Sequence, residues 1–370
     1  MNSNSFSPKP DRSLGNLNRR EALKSLLGLT AALMKPDILG AVGPAAQSAP
    51  QPPARDRFGE LLPQRKLGSK GPMVTMLGLG GAHIGNMADD AMAQQTIETA
   101  IAGGIRYFDT AAGYAQGRSE VRYGMFLTPK YRESIFLATK TTASNAAQAR
   151  LHLDASLSRM KTDYIDLWHM HTLHSPEDVD HRIDGGVLDV MLDAKQKGKV
   201  RHIGFTGHVT PDSHLHMLAR GAEKGNPFTA SQMPINVLDP SYHSFILNYV
   251  PKAIEAGVGV LAMKTLSNGG FFGRRGGQPV AGPKLIPDRL SVAEALYFVW
   301  SLPVSVLVSG PNNPEMIQEK IDLARSFQAM DEQRRQELVL KVADLAGPTI
   351  ENYKGPPQPR PTKTKSAQDS

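Results

Sequence analysis

From Met73 to about Leu340, short runs rich in β-branched and aromatic residues alternate with longer runs whose apolar positions recur at helical spacing. The short runs predict strands over 73–79, 105–109, 135–139, 164–170, 202–205, 230–235, 258–263 and 304–308. Between them, residues 91–102, 146–160, 187–197, 212–223 and 292–300 carry the spacing of helices. Ser291 stands before the last of these with Glu294 three residues on, the pairing of a capping box. Eight strands in series predict an α/β fold of the (β/α)8 TIM-barrel type over residues 65–345. An open doubly wound sheet would carry a glycine fingerprint after its first strand. Gly78-Leu-Gly80-Gly-Ala-His-Ile-Gly85 imitates it weakly, and its glycines suit a tight turn at a barrel mouth.

Both ends of the chain depart from this pattern. Asn18-Arg-Arg-Glu-Ala-Leu-Lys24 precedes a weakly apolar run over 25–34 and an Ala-, Pro- and Gln-rich stretch over 41–53. A basic region, a short apolar run and small residues read as an export signal, because ten residues cannot cross the hydrocarbon core. Residues 1–50 are therefore expected to be a signal and spacer, with processing near Ala46-Gln-Ser48. The Arg19-Arg20 pair resembles a twin-arginine signal, which implies the Tat export machinery as a partner and a periplasmic location. A leader without that function would leave the protein in the cytoplasm. The Pro- and Lys-rich residues 355–370 read as an exposed, disordered tail.

Composition narrows the chemistry. The absence of cysteine excludes disulfides, thiolate metal sites and thiol catalysis. The formal charge of +7 sits mostly at the ends: residues 1–60 hold eight basic and five acidic side chains, and residues 354–370 hold four and one. Subtracting these two contributions of +3 leaves +1 for the body, so no basic face for nucleic acid is expected.

Reactive side chains recur at the ends of successive predicted strands. Asp109 and Tyr114 follow the second, Lys140 the third, and His169 and His171 the fourth. A barrel enzyme assembles its site in this way from residues distant in sequence. If Asp109, Tyr114, Lys140 and His171 converge, Lys140 stabilises the ionised phenol of Tyr114 and brings its pKa toward the working range. Asp109 then neutralises the ammonium. Tyr114 becomes a proton donor to a carbonyl oxygen that His171 orients. Other roles stay open for each residue: Asp109 as a helix cap, Tyr114 as loop packing, Lys140 as a solvated strand end. The pair His169 and His171 also admits a metal-dependent hydrolase, with Asp109, His83 and His208 as further ligands. No clear complementary cluster at the later strand ends supports that metal site.

The run Phe108-Asp109-Thr-Ala-Ala-Gly-Tyr114 resembles the aldo/keto reductase family, and the likeness extends from about Met73 through Glu319. Gly117-Arg-Ser-Glu120, Thr139-Lys140 and Asp163-Tyr-Ile-Asp-Leu-Trp-His-Met-His171 support it. The resemblance implies a catalytic tetrad of Asp109, Tyr114, Lys140 and His171, with Tyr114 as general acid. It implies hydride transfer between NADP or NAD and an aldehyde or ketone, with NADP favoured and no metal required. Thr206 and Gln232 are then expected to hold the nicotinamide carboxamide.

The same resemblance assigns Lys264, Leu266, Gly270 and Arg274 to the cofactor loop after the seventh strand, and Gly310, Asn312 and Glu319 to the adenosine end. Two departures stand out. Gly207 follows Thr206 where an asparagine is common, and Met316 replaces a basic residue that often reads a 2′-phosphate. These departures, with the export signal, keep a second class open: a nonenzymatic nucleotide- or ligand-binding protein on the same scaffold.

Overall fold

The computed structural model describes residues 54–275, 278–279 and 282–355. The expected leader over 1–50, and residues 356–370 of the expected tail, lie outside the described residues. Eight strands close into a parallel barrel: β1 (Leu77–Gly80), β2 (Tyr107–Asp109), β3 (Phe136–Thr141), β4 (Ile165–Leu173), β5 (Val200–Gly207), β6 (Ala230–Pro234), β7 (Gly259–Met263) and β8 (Val306–Ser309). Leu307 of β8 pairs with Leu77 of β1, which closes the ring. The expected (β/α)8 barrel is therefore the architecture observed.

One expected strand divides in two. Residues 73–79 read as a single run, but Met73–Thr75 pairs antiparallel with Gln64–Lys66 and only Leu77–Gly80 enters the barrel. The hairpin covers the end where the strands start. Its Arg65 donates to the carbonyls of Trp300 and Val304, at 2.7 and 2.8 Å, just before β8. Leu67 and Val74 join Tyr107, Ala138, Leu167, Ala230, Leu261 and Val306 in an apolar core that plugs the barrel from below. Burial of this kind supplies the main driving force for closure.

The helices carry their own start signals. Asp89 accepts from Met92 N at 2.8 Å, Asn145 from Gln148 N at 3.0 Å, and Ser291 with Glu294 forms the expected capping box. Among the helices not expected from the pattern, the longer ones are Arg118–Phe126, Pro176–Asp184, Pro314–Arg325 and Glu332–Val342. The first hides its periodicity because its inner face is polar, burying Ser119, Glu120 and Arg122.

After Glu332–Val342 the chain returns over the opposite, C-terminal end of the barrel as a strap of residues 346–355. Ser267 Oγ donates to Ile350 O at 2.7 Å, and Gly355 N donates to Val209 O at 2.9 Å. The strap therefore rests against the loops that follow β5 and β7. Among the described residues, no helix is long and apolar enough to cross a membrane.

Candidate active site

Strand register decides which side chains share the mouth. Asp109 pairs with Ala138, Lys140 with His169, and His169 with Gly204, so alternate residues of β2, β3 and β4 point into the barrel. Lys140 Nζ lies 2.5 Å from Asp109 Oδ1, 2.7 Å from Thr110 O and 3.4 Å from Tyr114 Oη. The rings of Tyr114 and His171 meet edge to face at 5.6 Å. The four residues expected to form one site are thus brought together.

The local chain explains why. After Ala111 accepts from Tyr114 N, Ala115 and Gln116 both take left-handed conformations (φ 49° and 58°), and Gly117 follows at φ 89°. This turn delivers Tyr114 to the mouth and starts Arg118–Phe126 directly behind it. Glu120 on that helix is fully buried; Thr139 Oγ1 donates to it at 2.6 Å and Arg159 Nε at 2.7 Å. It ties the Tyr114 segment to the strand that carries Lys140.

The two histidines separate cleanly. His169 is wholly inside the barrel against Gly204, where any side chain would collide with its ring. His171, two residues further, reaches the tetrad. A bulge follows it, with Thr172 at φ 56° and a shift of register before Leu173. Arg182 donates to His171 O at 2.7 Å and to Thr172 O at 3.3 Å, while Thr172 N donates to Thr206 Oγ1 at 3.3 Å. Arg182 therefore fixes the backbone beneath His171, a role that no motif in the sequence announced.

Electrostatics refine the chemistry. Burial pushes the Asp109 carboxyl up, and the Lys140 ammonium opposes that shift, as does the nearby Gln232 amide. Burial pushes the Tyr114 phenol above its ordinary value; Lys140 lowers it and Asp109 raises it, so burial prevails. The expectation that Lys140 would draw this phenol toward the working range is thereby corrected. Tyr114 stays a protonated phenol, because its burial outweighs the ammonium's field and Asp109 adds to the upward shift. Burial holds His171 well below its usual range, with Lys140 adding to the effect, so its ring is neutral.

The residues expected to hold a cofactor fall into two groups. Thr206 and Gln232, paired in register at the ends of β5 and β6, are both about 1% exposed. Gln232 Oε1 is buried with no hydrogen-bond partner among the described residues. An orphaned amide oxygen at that position fits a carboxamide N–H, so the residues present suit a nicotinamide. Lys264, Leu266 and Gly270 follow β7, and Gly270 packs against Ile350 of the strap. Arg274 is exposed and, with Ser267, Asn268, Gly270, Thr349 and Ile350, lines a shallow cleft between that loop and the strap.

At the far end, a side chain at Gly310 would collide with His83. Asn312 and Glu319 are exposed, and the cap of Pro314–Arg325 is Asn313, which accepts from Met316 N at 2.9 Å. Among the described residues, no group of three His, Asp or Glu side chains is placed to hold a metal ion. The hydrolase reading is left without a ligand set there.

A closed parallel barrel with a Tyr-Lys-Asp-His constellation at the C-terminal ends of its strands defines a barrel of the reductase class. The family model for the aldo/keto reductase family matches residues 76–336, and the chain belongs to that family. It is 28% identical over 226 residues to a probable aldo-keto reductase 1 of Glycine max, covering 57% of this chain and 61% of that protein. It is 30% identical over 218 residues to L-galactose dehydrogenase of Arabidopsis thaliana, covering 55% of this chain and 66% of that protein. The chain thus spans somewhat under two thirds of the length of these curated relatives. A solved aldo-keto reductase from Bacillus halodurans, in its holo form, shares the fold with a TM-score of 0.63 and 23% identity, covering 76% of this chain and 96% of that one.

Proposed function

We propose that the protein transfers hydride reversibly between NAD(P)H and an aldehyde or ketone, with Tyr114 as general acid in reduction. The observation that carries this reading is the buried relay in which Lys140 Nζ touches both Asp109 Oδ1, at 2.5 Å, and Tyr114 Oη, at 3.4 Å. The nicotinamide, when bound, supplies the hydride. Tyr114 donates its phenolic proton to the carbonyl oxygen as the carbonyl carbon is reduced, and Lys140 stabilises the phenolate left behind. Neutral His171 donates a hydrogen bond to the same oxygen and fixes its approach. Asp109 keeps Lys140 charged in a site that burial would otherwise discharge. In alcohol oxidation each proton moves in the opposite sense.

Gln232 and Thr206 are the residues proposed to hold the carboxamide, with Lys264, Leu266, Gly270, Arg274, Gly310, Asn312 and Glu319 along the remaining nucleotide. Family resemblance favours NADP. Lys320 supports that preference: it is a buried cation near His83 that donates to Met316 O at 3.1 Å, and burial pushes its pKa down to about 8. The twin-arginine leader supports export to the periplasm in a folded, cofactor-loaded state.

The test is calorimetric titration of the full chain with NADPH and NADH, followed by carbonyl reduction over a panel that includes sugar-derived carbonyls, since one relative is named for L-galactose. Saturable binding and turnover are expected. No binding of either nucleotide would overturn the assignment. Fractionation of cells bearing Arg19→Lys/Arg20→Lys against the unaltered chain tests export, with cytoplasmic retention of the double variant expected.

A further inference from the structure

One side chain behind the barrel wall touches both strands that carry the proposed carboxamide residues. Thr206 and Gln232 stand opposite each other at the ends of β5 and β6. Side chains alternate along a strand, so their neighbours Phe205, Gly207 and Ser231 turn outward to the helix layer. There His214 lies fully buried on Pro211–Ala222, the helix that joins the two strands. A Cβ at Gly207 would stand 2.7 Å from His214 Cε1, so the ring fills the space in front of that glycine. The asparagine common at this position is thus exchanged for a glycine with an imidazole packed against it. On the other strand, His214 Nε2 lies 3.4 Å from Gln232 O. The rings of Phe205, Phe245 and Tyr249 surround the imidazole at 5.0 to 5.4 Å. Tyr249 Oη in turn donates to Ser231 Oγ at 2.8 Å, one residue before Gln232.

This cage keeps the ring neutral, since burial pushes its pKa down to about 4. A neutral imidazole has one N–H and one bare nitrogen, and a carbonyl oxygen can only accept. Nε2 therefore carries the proton and donates to Gln232 O, which leaves Nδ1 facing Ser213 Oγ at 3.5 Å. Close packing on every side gives the ring no room to shift, so it acts as a fixed spacer between the two strand ends. We infer that His214 is a positioning residue for the nicotinamide carboxamide, setting the distance between Thr206 and Gln232 so that both meet it together. This rests on the hydride-transfer reading above and deepens it, because the grip on the ring then extends to a side chain outside the mouth.

The experiment compares dissociation constants of NADPH and of 2′-phospho-ADP-ribose, which lacks the nicotinamide, for the full chain by calorimetry. Wild-type protein is expected to bind NADPH more tightly. His214→Phe keeps an aromatic ring but loses the donor, and should weaken NADPH by roughly threefold to tenfold. The ring-free nucleotide should stay within about twofold of wild type. His214→Gln, which keeps a donor at about the same reach, should recover most of the loss. Equal weakening of both nucleotides in His214→Phe, or no change in either, would overturn the inference and leave His214 a core residue only. Nitrogen NMR of histidine-labelled wild-type protein tests it without a variant. A proton on Nε2 is expected, and a proton on Nδ1 would overturn the inference, because the bond to Gln232 O could not exist. Failure of wild-type protein to bind either nucleotide would instead remove the hydride-transfer reading, and this inference with it.

Discussion

Lys140 Nζ sits 2.5 Å from Asp109 Oδ1 with neither side chain more than 3% exposed, so each charge depends on the other. Removing one partner strands a buried ion, whereas removing both leaves a neutral site. Asp109→Asn is expected to lower folding stability by about 3–5 kcal/mol, and Asp109→Asn/Lys140→Met to recover a large part of that loss. Urea unfolding of the two variants measures this. A cost below about 1 kcal/mol for Asp109→Asn would mean that the pair is solvated like a surface ion pair.

Tyr114 makes a kinetic prediction with a definite sign. Tyr114→Phe keeps the ring and its edge-to-face contact with His171 but removes the proton donor. Carbonyl reduction should fall by roughly 10²–10⁴-fold, with NADPH affinity within about twofold of wild type. Because burial raises the phenol's pKa, the donor form is present below that raised value and is lost only as pH rises through it. Reduction by the wild-type enzyme should therefore stay level through neutral and mildly alkaline pH, while alcohol oxidation climbs. A reduction rate already halved near neutral pH would show that Lys140, not burial, governs Tyr114.

The sequence pattern revealed what short-range chemistry controls. Seven of the barrel strands were legible as short β-rich runs, and the first was merged with the hairpin strand before it. Asp109, Tyr114, Lys140 and His171 were legible because each ends or follows such a run. What escaped depends on pairing across long distances. Met73–Thr75 belongs to a hairpin because Gln64–Lys66 folds back on it, which a period-two pattern does not encode. Arg182 supports His171 through a backbone carbonyl, and such an acceptor has no signature in side-chain order. The Tyr114 phenol moved opposite to expectation because charge proximity was read from the residues, while burial appears only once the barrel closes.

The strap offers a test of how the mouth is held shut. Lys354 Nζ lies 2.6 Å from Asp239 Oδ1 and 3.0 Å from Tyr242 O, and Glu351 Oε1 accepts from Asn236 Nδ2 at 2.8 Å. Asp239 also caps the next segment through Phe245 N and Ile246 N, so losing Lys354 leaves a buried carboxylate only partly satisfied. Lys354→Met should release residues 346–355 before the barrel unfolds. Hydrogen exchange at Gly355, whose amide reaches Val209 O, should accelerate by at least about tenfold, while exchange in β3 and β4 stays slow. Uniform acceleration across barrel and strap would instead make the strap part of one cooperative unit.

Acid stability turns on the buried histidines, and His214 gives the sharpest case. Its ring is fully buried, between 5.0 and 5.4 Å from the rings of Phe205, Phe245 and Tyr249, and burial lowers its pKa to about 4. The unfolded chain binds a proton at this residue near pH 6.5, whereas the folded chain does not until about pH 4. The folded-state pKa is depressed, so the associated stability is complete above about pH 6.5 and is lost as pH falls toward the folded value. The loss should run at about 1.4 kcal/mol per pH unit for this residue. His169 and His171 are shifted in the same direction by burial and should steepen the slope. His214→Phe retains an aromatic ring in that cluster and removes its proton. Urea unfolding between about pH 6 and pH 5 should then show a slope shallower by close to one proton than wild type. An unchanged slope would mean that water reaches His214 in the folded protein.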